Sequence, residues 1–124
     1  MPLWLILGGL NGLIAVAAGA YGWHGLGGDP MFMMAADYQL AHALALTGVA
    51  WLASVATGPQ GVLVHLAGAA FALGILLFSG TLYALALTAS VPVTGAAPLG
   101  GVLLMAGWLL LMVIGALKIR SRRG

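Results

Sequence analysis

Residues 38–117 read YQLAHALALTGVAWLASVATGPQGVLVHLAGAAFALGILLFSGTLYALALTASVPVTGAAPLGGVLLMAGWLLLMVIGAL, and this stretch decides the fold. No Asp, Glu, Lys or Arg interrupts its 80 residues. A helix that crosses a bilayer needs about 20 consecutive apolar residues, so there is room for three spans and their turns. Two breaker clusters divide the stretch: Gly58-Pro59-Gln60-Gly61, and Pro92 to Pro98 with Thr94 and Gly95 between them. Pro and Gly together are strong interruptions of regular structure. Outward on the N-terminal side, no charged side chain occurs before Asp29, which leaves space for a fourth span. The spacing predicts an all-α bundle of four transmembrane helices over 3–24, 35–57, 62–89 and 98–118. Residues 1–124 form a single domain in this reading, with 119–124 as a basic tail. Helices are preferred over a barrel because the apolar runs are continuous rather than alternating.

Composition agrees. Of 124 residues, 63% are hydrophobic and 5% charged, against roughly a quarter charged in soluble domains. Too few charges exist to clothe a water-facing surface. There is no cysteine, which excludes disulfides, thiolate catalysis and Cys-ligated metals. The four basic residues, Lys118, Arg120, Arg122 and Arg123, all lie in the last seven positions. Their place directly after a span makes them a topology signal rather than a nucleic-acid patch, and puts both termini in the cytoplasm. The N-terminal run lacks a basic leader and outlasts the roughly 7–15 residues of a signal-peptide core, so it is expected to be a retained first helix. Trp4 and Trp23 flank that helix, where interfacial rings are expected.

Small residues recur at helical spacing. Gly8 and Gly12, Ala15 and Gly19, and Ala18 and Gly22 are each four apart. Gly68, Gly74 and Gly80 continue the theme on the third helix, and Gly100, Gly107 and Gly115 on the fourth. Such residues let helix backbones approach closely in lipid, within the bundle or against a partner.

Polar groups inside the spans are the candidate site. Asp37, Tyr38, Gln39 and His42 open the second helix, with Tyr38 and His42 four apart on one face. His24 closes the first helix at the same end, and the third helix brings Ser79, Thr81 and Tyr83. These groups are expected to meet in one layer, with His42 and Tyr83 each roughly 10 Å below the surface. The layer could fix helix register by hydrogen bonds, line a lipid or ligand pocket, relay protons through His and carboxylate, or ligate haem or a metal through His24 and His42. His65 falls near the opposite end, too far for a three-His site. Asn11, in the inner half of the first helix, is expected to bond across helices. Gly25-Leu26-Gly27-Gly28 lacks the spacing and the Lys of a phosphate loop, and reads with Asp29-Pro30 as a flexible turn. Met31, Met33 and Met34 read as an interfacial apolar anchor.

The motifs carry a resemblance. Gly19-Ala20-Tyr21-Gly22-Trp23-His24-Gly25 resembles a GAFGAHG signature, and Asp37-Tyr38-Gln39-Leu40-Ala41-His42-Ala43-Leu44-Ala45-Leu46 an acidic YQ..HALAL signature. Leu77-Phe78-Ser79-Gly80-Thr81-Leu82-Tyr83 resembles LFSGSLY. Pro98-Leu99-Gly100-Gly101, with Gly107-Trp108 after it, resembles TPxGG…GW. In order and across the chain they resemble the small inner-membrane proteins grouped as domain of unknown function 423, which includes eukaryotic transmembrane protein 256. Trp23 departs from that pattern by replacing a small residue, and Ala97 by replacing a Thr. The resemblance implies a multi-pass protein of the bacterial inner membrane with four helices, and no accepted activity or cofactor. The expectation is a non-enzymatic protein: an accessory or assembly subunit of a membrane complex, or a binder of lipid or another hydrophobic ligand. Its contacts would be membrane lipid, other subunits or a second copy of itself, and not nucleic acid. A haem, metal or proton-handling protein and a small transporter are the alternatives.

Overall fold

The computed structural model describes residues 2–123, with the side chains of all but Ile119 and Arg123. It contains four helices in sequence: α1 Pro2–His24, α2 Pro30–Val55, α3 Pro59–Thr88 and α4 Ala96–Arg123. All four are long and apolar enough to cross a membrane. The first three each begin with proline, whose fixed φ suits the first helical turn and whose missing N–H costs nothing there.

The helix ends differ from the sequence reading at two places above all. Asp29-Pro30 is not a flexible turn but the start of α2: the Asp29 side chain accepts a hydrogen bond from the Phe32 amide at 3.0 Å, and Pro30 is the first helical residue. That adds more than a turn to α2 and carries Met31, Met33 and Met34 into it. The preceding glycines make the tight return, with Gly27 and Gly28 at φ 63° and 75°. At the other end of the chain, α4 runs on through the basic segment to Arg123, so Lys118, Arg120 and Arg122 project from a helix. The side chain of Arg123 lies outside the described residues. The α3 helix has 30 residues, about 45 Å at 1.5 Å per residue. That exceeds the roughly 30 Å of a hydrocarbon core, a mismatch that tilting or projection would accommodate.

Neighbours in sequence are neighbours in space, packed antiparallel as α1–α2, α2–α3 and α3–α4. The central pair supplies most of the core: Leu46 and Val49 of α2 and Val64 and Phe71 of α3 are fully buried. Both termini lie at one end of the bundle, and the α1–α2 and α3–α4 connections at the other.

Glycine sets how close the outer helices come. A Cβ on Gly100 would stand 2.5 Å from the Phe78 backbone nitrogen, and one on Gly107 would stand 2.6 Å from the Phe71 ring. On the α1 side, a Cβ on Gly8 would meet Thr47 at 3.0 Å and one on Gly22 would meet the Phe32 ring at 2.7 Å. Gly12 only approaches Ala43, at 3.9 Å. Gly19, Gly80 and Gly115 pack against no helix of this chain, because nothing lies within 4 Å of a Cβ built there. Repeating glycines drift around a helix, so only some members of each series meet a neighbour.

Trp4, in the first turn of α1, is buried against α3: its indole donates to His65 Nδ1 at 2.8 Å, and its ring fills the slot left by Gly68. Trp23, 66% exposed, does lie at the surface.

Gly100→Ala should therefore destabilise the bundle by about 1–3 kcal/mol, the range for overpacking a close contact. Gly80→Ala should be near neutral. Thermal unfolding of the detergent-solubilised pair reads the difference, and equal stabilities would refute the packing role of Gly100.

Candidate functional site

Two hydrogen-bonded units cross the bundle, one on each side of the α2–α3 pair. The first is a chain through Gln39. Tyr83 of α3 donates its hydroxyl to Gln39 Oε1 at 2.7 Å. Gln39 Nε2 donates to Asn11 Oδ1 of α1 at 3.0 Å. Asn11 Nδ2 then donates to the Leu7 carbonyl, one turn back on its own helix, at 2.9 Å. Each donor points the same way along the chain, from α3 through α2 to α1. The Ser79 hydroxyl adds a separate tie from α3 to the α2 backbone, donating to the Ala35 carbonyl at 2.9 Å.

The second unit is His42 with Trp108. The Trp108 indole N–H donates to His42 Nε2 at 3.0 Å, and His42 Nδ1 lies 2.6 Å from the Tyr38 carbonyl. An indole nitrogen can only donate. Nε2 must then be the unprotonated nitrogen, and the ring proton sits on Nδ1, where it bonds the carbonyl. Two neighbours fix the neutral ring in one tautomer. The aromatic surroundings reinforce this placement. Tyr38 stacks on His42 at 6.0 Å between centroids, and Phe71 and Trp108 meet edge to face at 5.2 Å.

The layer read from the sequence is thus partly assembled. Gln39, His42, Ser79 and Tyr83 face the bundle, and Tyr38 contributes its carbonyl and ring. His24 and Asp37 are exposed and join neither unit. With α2 starting at Pro30, His42 is twelve residues along it, roughly 18 Å rather than 10 Å from that end. His24 stays at the end of α1, so the two histidines are not brought together as a ligand pair. Both His42 nitrogens already have partners, and a metal on Nε2 would have to displace the indole. Among the described residues no group of three or more His, Asp or Glu side chains could hold a metal ion.

Asn11 and Trp108 were absent from the expected layer. Each carried a usable signal: an amide in the middle of an apolar span, and an indole midway along one. Neither position offers water, so each side chain needs a partner within the protein. Among the described residues no buried side-chain polar atom is left without a hydrogen bond.

A groove opens to the side of the bundle at each unit. Between α2 and α4 a cavity of about 370 Å³ is bordered by Tyr38, His42, Phe78, Pro98, Gly101, Val102, Leu104, Met105 and Trp108. Between α1 and α3 one of about 350 Å³ is bordered by Leu7, Ile14, Leu76, Gly80 and Tyr83, with Asn11 and Gln39 among its walls.

The pairing can be tested by a double-mutant cycle. His42→Leu should destabilise the protein by about 1–2 kcal/mol, and Trp108→Phe by a similar amount. The double variant should lose less than the sum, because each single change removes the same bond. Strictly additive losses would show that the two side chains do not interact.

Comparison with known proteins places the chain. A family profile described as protein of unknown function (DUF423) matches residues 18–101. UPF0382 membrane protein SSP2132 of Staphylococcus saprophyticus is 38% identical over 125 residues, which cover 96% of this chain and 100% of the relative. UPF0382 membrane protein SERP0230 of Staphylococcus epidermidis is 42% identical, over 91% of this chain and 94% of its own. UPF0382 membrane protein YwdK of Bacillus subtilis is 39% identical, over 91% and 95%. No solved structure matches the chain. Four apolar helices and relatives named as membrane proteins make this a multi-pass membrane protein, and the chain belongs to the uncharacterised DUF423 (UPF0382) family.

Proposed function

We infer that the protein is a non-enzymatic membrane protein that takes up an apolar or amphiphilic molecule from the bilayer in the groove between α2 and α4. The observation that carries this reading is the pre-paired floor of that groove. His42 and Trp108 satisfy each other, so an occupant need offer no hydrogen bond to reach them and an apolar chain suffices. Phe78, Val102, Leu104 and Met105 supply the apolar walls, and Gly101 leaves the α4 wall low. The cavity of about 370 Å³ falls within the roughly 300–1,000 Å³ typical of small-molecule sites. Tyr38, 44% exposed, adds a hydroxyl-bearing ring for the polar end of an amphiphile. The stretches that carry the family resemblance also converge here, through Tyr38 and His42, Phe78, Pro98 and Gly101, and Trp108.

An accessory-subunit reading has its own support on the other side. Gly80 borders the α1–α3 groove and meets nothing within 4 Å, so a partner helix could approach closely there. A haem or metal role gains little, since His42 has no free nitrogen. A transport role gains little too, because no charged group lies between Asp37 and Lys118 to carry an ion.

Two groove-filling variants separate the readings. A Cβ at Gly101 meets only Phe78, at 3.8 Å, and the groove lies open beyond it, so Gly101→Leu should fold and fill the α2–α4 groove. Native mass spectrometry after mild solubilisation should find an apolar or lipid adduct on the wild type and lose it in Gly101→Leu. Loss of a bound protein in Gly80→Leu, with the lipid adduct unchanged in Gly101→Leu, would favour the subunit reading. A bare monomer in the wild type would remove both.

A further inference from the structure

At the end of the bundle that holds both termini, the α2–α3 turn and the last turns of α4 enclose a cleft of about 500 Å³. Lys118 and Arg122 border it from α4, four residues apart and so on one helix face. Ser121 lies between them on the same border, while Arg120 is not among the bordering residues. Across the cleft stand Thr57 and Gln60. Gly58 caps α3 without a side-chain bond, so the first amides of that helix add donor character beside Gln60. Two cations, two hydroxyls and an amide thus face one another, and among the described residues no carboxylate borders the cleft. The remaining walls include Val55 and Leu117, which precede the polar groups in their helices and so lie on the apolar side. The cleft is cationic towards the end of the bundle and apolar towards its middle.

We propose that this cleft is a specific site for the headgroup phosphate of an anionic phospholipid, held by Lys118 and Arg122 with its acyl chains running past Val55 and Leu117. Arg binds phosphate oxygens through paired N–H donors, and Lys adds a point charge. Free phosphate shares the polar half of this chemistry but has no use for the apolar half, which is why the occupant is a lipid. The site lies outside both lateral grooves and does not depend on the ligand proposed for either. A generally basic membrane surface attracts anionic lipid without regard to which basic residue carries the charge. A built site does not, and the charge-matched neighbour Arg120 separates the two.

The test uses the full-length protein in mild detergent, titrated with phosphatidylglycerol, phosphatidylcholine or inorganic phosphate and read by native mass spectrometry. Lys118→Gln, Arg122→Gln and Arg120→Gln each remove one positive charge, and circular dichroism checks that each stays helical. Phosphatidylglycerol should bind the wild type and Arg120→Gln alike, and bind Lys118→Gln and Arg122→Gln about tenfold more weakly. Lys118→Arg should restore most of the affinity. Phosphatidylcholine should bind poorly, and millimolar phosphate should not displace the lipid. Equal losses in all three single variants would overturn the proposal in favour of diffuse attraction. Displacement by inorganic phosphate would overturn the choice of a lipid.

Discussion

A carboxamide placed in hydrocarbon has no solvent to fall back on, and the Gln39 side chain meets that constraint with both of its ends. Its oxygen accepts from Tyr83 of α3 and its nitrogen donates to Asn11 of α1. Leaving either end unmade in lipid would cost several kcal/mol, so three helices have one rotational setting in which they can sit together. Apolar packing cannot supply that setting alone, since a Leu loses little by facing acyl chains instead of a neighbouring helix. Gln39 fixes the rotation of α1, α2 and α3, and the His42–Trp108 bond ties α4 to α2. Glycine then decides the separation. The two devices are complementary: hydrogen bonds choose which faces meet, and missing Cβ atoms allow those faces to touch.

The division of labour explains which parts of the molecule were legible in its sequence. Span number followed from the absence of charge between Asp37 and Lys118, because length in lipid is a matter of composition. Helix boundaries were less legible. Asp29-Pro30 has the composition of a turn and acts as a cap, and only the Asp29–Phe32 bond distinguishes the two. That shift moved His42 from about 10 Å to about 18 Å below the end of its helix, and with it the partners it could reach. Trp108 was out of view because tryptophan in membrane proteins is associated with the interface, whereas this one lies well inside α4.

The neutral state of His42 bears on every functional reading of the polar groups. Its proton is committed to the Tyr38 carbonyl and its lone pair to the Trp108 indole. A second proton would have to enter at Nε2, where it would face an N–H. The ring is therefore held in one orientation, at the floor of a groove whose accessible surface is mainly apolar. Chemistry that needs a free imidazole would require α4 to withdraw first. Binding that needs only a shaped apolar surface requires no movement.

The strictly sequential packing of the four helices also has a consequence for how the protein is made. Each helix has its main partner immediately before or after it in the chain, so no large interface waits for a distant segment. A chain dominated by local contacts loses little entropy in closing them. As the spans leave the insertion machinery one after another, α2 can settle on α1, α3 can complete the Gln39 chain, and α4 can close on Phe71 and Phe78. The last helix to arrive is the one whose approach depends most on glycine, and it needs only to slide into contact with a surface already formed.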